Sequence, residues 1–297
     1  MPNFREYNAK LQSTAGMRRV TSTMKMVSSS HLRRAQKDLR RPEEFARRLA
    51  PLLGMVRSRA SLRRNRFLAE PSATAPRILL FILSADRGLC GAFNSAIARA
   101  ADEWAETAHK ERGADVKAVY VGQKAQAALK GKIPTAFHVV AADAHPSLRH
   151  THVLASYAMH QFLDGGITEV WVLYSRFIST MKSEPEFQRI LPLSDESVSR
   201  FTGNAPQTLD MPETPTLEPG YAALLETVVR QWIDLAFFAA EAHSAACEHS
   251  ARMIAMDSAT KNLDRLSKLL LLLRNRARQA AITKELTEIV AGSESLQ

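Results

Sequence analysis

Residues 221–291 read YAALLETVVRQWIDLAFFAAEAHSAACEHSARMIAMDSATKNLDRLSKLLLLLRNRARQAAITKELTEIVA, 71 residues without a glycine or a proline. Pro219 and Gly220 precede the stretch and Gly292 follows it. Both residue types are costly inside a helix and common just outside its ends, so the stretch predicts one uninterrupted helix. At ~1.5 Å rise per residue it would be roughly 105 Å long, several times an ordinary globular helix. A helix of that length must leave the body of any compact domain, and its apolar pattern indicates what covers it there. Met256, Leu263, Leu270 and Ala277 recur every seven residues, as do Ala259, Leu266, Leu273 and Ala280. Two such rows, three and four residues apart, form the seam of a left-handed coiled coil. Lys284 and Thr287 stand at the next positions, so the seam fades toward the end of the helix.

The opposite end of the chain supplies a partner. Met17, Val20, Met24 and Val27 repeat at three and four residues, among positions filled mostly by Arg, Lys, Ser and Thr. Gly16 is a weak point in that helix, costing about 1 kcal/mol relative to Ala. Pro42 followed by Glu43-Glu44 suits the first turn of a continuing or restarted helix, where a missing N–H is harmless and carboxylates meet the positive end. Two helices at opposite chain ends, each with one narrow seam, suggest an antiparallel coiled coil.

The net charge of +10 is concentrated at that end: residues 1–70 hold 17 Lys/Arg against 5 Asp/Glu, whereas residues 221–297 hold 9 of each. A basic arm commonly meets nucleic acid, anionic lipid or an acidic protein surface, and composition does not choose among them. The run from His31-Leu32-Arg33-Arg34 through Arg40-Arg41 to Arg47-Arg48 has almost no aromatic residues for base stacking, which weakens the nucleic-acid reading. A solvated helix face and a docking surface for an acidic protein remain.

Between the two helices the pattern changes. Ile78–Leu83, Val116–Val121 and Val170–Tyr174 are short apolar runs that predict buried strands, and 92–112, 123–130 and 147–163 have helical spacing. Strands alternating with helices imply a Rossmann-like α/β domain with a mostly parallel sheet. From Asp195 to Gly220 the chain is rich in Pro, Ser, Thr and Asn and reads as an exposed connection. The expected domains are therefore an N-terminal coiled-coil helix over 1–60, a central α/β domain over 75–210 and a C-terminal coiled-coil helix over 219–291.

No site for chemistry emerges. Ser84-Ala85-Asp86-Arg87-Gly88-Leu89-Cys90-Gly91 stands between a strand and a helix, where phosphate loops sit, but lacks both the G-x-G-x-x-G pattern and a Lys-Ser/Thr ending. It reads as a tight turn, with Asp86 and Arg87 paired locally. Cys90, at a helix start, has no marked His partner. His138, His145, His150 and His152 lack metal-ligand spacing, and the only other cysteine is Cys247, so neither a disulfide framework nor a thiolate metal site is indicated. Apolar runs are too short to span a bilayer, and the N-terminus goes straight into an amphipathic pattern without a signal core. The residues alone describe a mechanical or interaction protein of intracellular type, a basic coiled-coil adaptor or nucleic-acid binder included.

Several separated stretches resemble the γ subunit of the rotary (F-type) ATP synthases. They are Met24-Lys25-Met26-Val27 with Leu32-Arg33-Arg34-Ala35-Gln36; Ser84–Gly91 with Asn94; and Tyr174, Phe177, Thr180-Met181 and Leu191-Pro192-Leu193, which match a late hairpin. Arg252-Met253, Ala255-Met256 and Ala259-Thr260, then Asn275 and Ala277 through Val290, match the C-terminal signature. The resemblance implies a central rotor shaft without an active site or cofactor of its own. Its two long helices would stand inside three α and three β subunits, its α/β domain near the ε subunit and the membrane c-subunit ring, with membrane contact only through the complex. It implies that Met24 and Lys25 meet an acidic hairpin of β, and that Arg278 and Gln279 engage a β loop. Thr283, Glu285 and Glu288 would tune that contact, and Ile289 and Val290 would run in an apolar upper bearing. Gly16, Met17 and Thr23 depart from the family pattern, and the chloroplast-type regulatory insertion is absent. The expected location is the cytoplasmic face of a bacterial plasma membrane, as a peripheral protein coupling ion transport to ATP synthesis.

Overall fold

The computed structural model describes residues 4–57, 66–69, 75–141, 146–194 and 220–294, so the connection expected from Asp195 and the side chain of His145 lie outside the described residues. The chain forms two compact units. One joins the N-terminal helix up to Ser28 to the C-terminal helix from Arg252; the other spans Ser29–Ala251. The division cuts through both long helices.

Helix α1 (Phe4–Asp38) runs unbroken through Gly16, where a side chain would meet nothing within 4 Å, and α2 (Arg40–Arg57) restarts after one turn residue with Pro42 near its beginning. Pro42 is tolerated there because the first four N–H groups of a helix have no intrahelical partner. There follow β1 (Arg77–Leu83), α3 (Phe93–Arg112), β2 (Asp115–Val121), α4 (Gln123–Ala128), β3 (Thr135–Val139), α5 (Leu148–Leu163), β4 (Glu169–Phe177) and β5 (Ser183–Leu191). The last helix, α6, runs from Tyr221 to Glu294 and continues through Gly292, three residues past the expected end.

The Ser29–Ala251 unit is built on a five-stranded sheet of order β3-β2-β1-β4-β5, parallel except for the antiparallel pairing of β4 with β5. Strand β1 is central and buried on both faces from Ile78 to Leu83, which is why its sequence is a continuous apolar run with no polar alternation. Period-two geometry divides its side chains. Leu79, Phe81 and Leu83 join one core with α2, α5 and the first part of α6, through Leu53, Leu154, Trp232 and Phe237. Ile78, Leu80 and Ile82 join the other with α3 and α4, through Ile97, Ala101 and Ala125. Phe237 meets Phe81 edge-on at 4.8 Å between ring centres, so this portion of α6 is a core helix of the unit.

Two strands carry no apolar signal. Strand β3 is the exposed edge, and β5, the other edge, starts with Ser183-Glu184-Pro185-Glu186. Edge strands are half-solvated and tolerate polar residues and Pro, so neither shows the run that marks a central strand. The β4–β5 hairpin lies where the late hairpin was matched by resemblance, closed by Ile178 N–H donating to Lys182 O (3.2 Å).

Candidate functional surface on the paired helices

The loop after β1 is a structural junction. Asp86 pairs with backbone and not with Arg87: Oδ1 accepts from Gln123 N–H and Oδ2 from Ala141 N–H, each at 2.9 Å. The expected local Asp86–Arg87 pair is therefore corrected, for two orphan N–H groups beyond β2 and β3 are better donors to a fixed carboxylate than a solvated guanidinium. Gly122, at φ +97°, lets the chain approach so closely that a Cβ would stand 2.2 Å from Ser84 O. Cys90 accepts from Asn94 Nδ2 (3.0 Å), and Asn94 Oδ1 accepts from Ala85 N–H (3.0 Å). Cys247 donates to Ser175 O (3.2 Å), and burial pushes its thiol up to about 11, away from thiolate chemistry.

The histidines tie elements to α6. His150 places Nδ1 2.5 Å from Glu241 Oε1 and Nε2 3.1 Å from Val140 O, and His152 meets Asp234 at 3.2 Å. His243 accepts from Phe177 N–H (3.2 Å), and burial holds it down at about 4, so it is neutral. His138 lies on β3, apart from these contacts. Among the described residues no cluster of His, Cys, Asp or Glu is placed to hold a metal ion.

The exposed contact residues lie on the other unit, α1 up to Ser28 with α6 from Arg252. Three contacts set the pairing. Arg18 bonds Asp264, the Thr21 and Thr260 hydroxyl oxygens lie 2.9 Å apart, and Lys25 Nζ lies 2.6 Å from Asp257 Oδ1. Numbers rise on α1 as they fall on α6, so the helices are antiparallel. Asp257 also holds Lys261 at 2.7 Å, and the two ammonium groups hold its carboxyl down at about 2.

On α1 up to Ser28 the buried positions are Thr14 and Ser28, with Phe4, Tyr7, Leu11, Thr21, Ser22 and Met24 half-buried. The expected α1 row is different: Met17 (48% exposed), Val20 (58%) and Val27 (50%) face outward, and only Met24 of that row is partly covered. The structure thus rotates the seam onto hydroxyl residues. They can occupy it because their side chains bond their own helix, Thr14 Oγ1 to Lys10 O and Thr260 Oγ1 to Met256 O, both at 2.8 Å. On α6, Met256 and Leu270 are buried and Leu263, Leu273 and Ala277 half-buried, whereas Leu266 is exposed.

In this register Phe4 stands level with Arg278, so among the described residues none of α1 stands beside α6 from Gln279 onward. Arg278, Gln279, Thr283, Glu285, Glu288, Ile289 and Val290 are all exposed. Lys284 pairs with Glu288 (3.5 Å), and Thr283 Oγ1 donates to Gln279 O (3.0 Å). The helical period puts Arg278, Ile282, Glu285 and Ile289 on one stripe and Gln279, Thr283, Leu286 and Val290 on the next. Ile282 and Leu286, not singled out by sequence, complete an exposed apolar patch with Ile289 and Val290. Their three- and four-residue spacing beyond the reach of α1 was the available signal. A contiguous exposed apolar patch beside charged groups marks an interaction surface. The band at Met24–Lys25 lies level with Asp257, about 30 Å along α6 from Arg278 at ~1.5 Å per residue.

On the Ser29–Ala251 unit, Arg33, Arg34, Lys37, Arg40, Arg41, Arg47 and Arg48 are all exposed, and Arg41 reaches Asp38 at 3.4 Å. Among the described residues no helix is long and apolar enough to cross a membrane.

The family model described as ATP synthase matches residues 3–296. The ATP synthase gamma chain of Chlorobium phaeobacteroides is 32% identical over 303 residues, covering 100% of this chain and 99% of that one. The gamma chain of Geotalea uraniireducens is 32% identical over 300 residues, with 100% of each chain covered. Among solved structures, a chain of the Euglena gracilis mitochondrial ATP synthase (OSCP/F1/c-ring) superposes with a TM-score of 0.62 at 17% identity, covering 99% of this chain and 94% of that one. A chain of the Tetrahymena thermophila central stalk/c-ring gives 0.61 at 20% identity over 81% of this chain and 99% of that one. These two likenesses concern the fold; the sequence matches run the length of the chain, and by them it belongs to the ATP synthase family, among the gamma chains.

Proposed function

We propose that this chain is the central rotor shaft of an F-type ATP synthase, transmitting ion-driven rotation of a membrane ring to the nucleotide sites of surrounding subunits. The observation that carries the reading is the helix pair. On α1 its seam is occupied by small hydroxyl residues and ion pairs, facing Met256, Leu263 and Leu270 of α6, while much of its apolar surface, Met17, Val20, Val27, Leu269, Leu272 and the 282–290 patch, points outward. A helix pair with that distribution fits a sleeve of other subunits more than it fits water.

In this reading three α and three β subunits form the sleeve. Met24 and Lys25 face an acidic element of β. Lys25 gives one of its three N–H donors to Asp257 and keeps nearly half of its side chain exposed, so it can bond outward as well. Contacts of this exposed kind are worth about 0–1 kcal/mol each, weak enough to be exchanged as the shaft turns. Arg278 offers a planar guanidinium able to grip a carboxylate through two parallel bonds, a more directional contact. Gln279, Thr283, Glu285 and Glu288 surround it, and Ile289 and Val290 run in an apolar bearing. The sheet-containing unit meets the ε subunit and the c-subunit ring, and its basic residues favour acidic neighbours. The protein is then peripheral, on the cytoplasmic face of a bacterial membrane, and nucleotide chemistry belongs to the neighbours.

Co-expression of the tagged chain with its native α and β subunits tests this. Recovery of three α, three β and one copy of the chain, hydrolysing ATP where the chain alone does not, is the expected result. A folded αβ assembly that leaves the chain behind would refute it.

A further inference from the structure

The α1–α6 seam repeats with a heptad period and is lined on α1 by Leu11, Thr14, Thr21 and Ser28, small or half-buried groups. Such a seam specifies an inner side but not an axial position. Sliding one helix by seven residues, about 10 Å, presents an equivalent set of side chains. Within this unit something else must choose the register, and polar groups placed in a seam are the best-attested device for it.

Two ion pairs stand one heptad apart on both helices, Arg18–Asp264 and Lys25–Asp257, and they bracket the Thr21–Thr260 hydroxyl bond. We infer that Asp257 and Asp264 are positioning residues that fix the axial register of α1 on α6, and so the offset between the Met24–Lys25 band and the Arg278 band. A slip of one heptad in either direction keeps only one of the two pairs. Moved one way, Lys25 meets Asp264 and Arg18 faces Leu271; moved the other, Arg18 meets Asp257 and Lys25 passes beyond both carboxylates. Lys261, the other cation on Asp257, lies on the same helix and is indifferent to a slip, so within this unit the discrimination rests on the two ion pairs; in the other unit His31 stacks on His249 of the same two helices, 5.0 Å between ring centres. The register itself is a property of this chain. Its consequence for coupling rests on the rotor reading, because torque delivered at two bands about 30 Å apart needs them held at a constant offset.

The register is tested on the full chain alone by oxidative cross-linking. Cysteines replacing Thr21 and Thr260 should cross-link readily, and cysteines replacing Thr21 and Ser267, which meet only after a one-heptad slip, should not. Adding Asp257→Asn and Asp264→Asn should raise the slipped 21–267 cross-link up to about fivefold, the scale set by the one exposed ion pair that a slip forfeits. Equal 21–267 cross-linking with both aspartates intact, or no change on removing them, would overturn the inference.

The consequence is tested in the complete complex in vesicles, at a pair outside the proposed β contacts. Arg18→Asp or Asp264→Arg alone should lower proton pumping per ATP hydrolysed, and the double exchange should restore it to within about twofold of the parent. A double variant as impaired as the worse single would overturn the link to coupling. A parent chain that never joins α and β would instead refute the rotor reading, with the cross-linking result standing on its own.

Discussion

The exposed patch beyond the end of α1 gives the sharpest prediction. Ile282 is 49% exposed and Ile289 68%, on one stripe of a helix with none of the described α1 residues beside it. Fully burying an Ile from water is worth about 1.5–3 kcal/mol. Covering only what remains exposed gives about 0.7–1.5 kcal/mol at Ile282 and about 1–2 kcal/mol at Ile289. Replacing both with Gln keeps helix propensity while removing the apolar surface. If a collar of other subunits covers both, the loss is about 2–3.5 kcal/mol, or roughly 30- to 300-fold in affinity. The assay is titration of an α3β3 assembly with labelled chain, read by fluorescence anisotropy, alongside circular dichroism of the free chain. Unchanged helicity with weakened binding is expected. Binding within about threefold of the parent would refute the reasoning, because it would mean that this stripe faces water in the complex too.

Three further predictions concern the contact residues and the sheet-containing unit. Arg278→Ala should reduce ATP-driven pumping more than ATP hydrolysis, and Arg278→Lys should recover only part of it because an ammonium cannot make the paired bonds; equal activity of Ala and Lys variants would remove the directional role. His150 must donate from Nε2 to Val140 O, so Nδ1 and Glu241 share one further proton, and both groups are shifted upward, His150 by that bond and Glu241 by burial. Raised folded-state values contribute stability below the unfolded values that is lost as pH rises, so the melting temperature should fall on the order of 2–4 °C more between pH 6 and 8.5 than in the His150→Gln/Glu241→Gln variant; parallel curves would contradict the shared proton. Phe237→Ala, at a fully buried ring against Phe81, should destabilise this unit by about 3–5 kcal/mol in denaturant unfolding, and a loss under 1 kcal/mol would mean that α6 is not anchored there.

Much of the architecture is legible in the sequence. The glycine- and proline-free stretch from Tyr221 set the long helix, since one breaker anywhere inside it would have cost 1–3 kcal/mol. Strands β1, β2 and β4 were visible because interior strands are buried on both faces and read as apolar runs, broken in β2 only by the exposed Lys117. Strands β3 and β5 lacked that signal because they are edges, and their pairing is supplied by neighbours distant in sequence.

Which surface of α1 turns inward was decided only in three dimensions. Counting apolar residues selected Met17, Val20, Met24 and Val27, yet the packed side carries Thr14, Thr21 and Ser28 with the cations Arg18 and Lys25. Apolarity and burial separate here because the inner positions are settled by what α6 presents: the carboxylates of Asp257 and Asp264 and the hydroxyl of Thr260. Those partners lie 232 to 246 residues away, beyond any local pattern. Asp86 repeats the lesson on a smaller scale, passing over the neighbouring Arg87 for N–H groups at Gln123 and Ala141. Backbone propensity and apolar runs are local properties, so sequence determined which segments are helices and central strands. Ion pairs, hydroxyl contacts and the choice of inner face depend on the distance between groups far apart in the chain, and only the folded arrangement sets that distance.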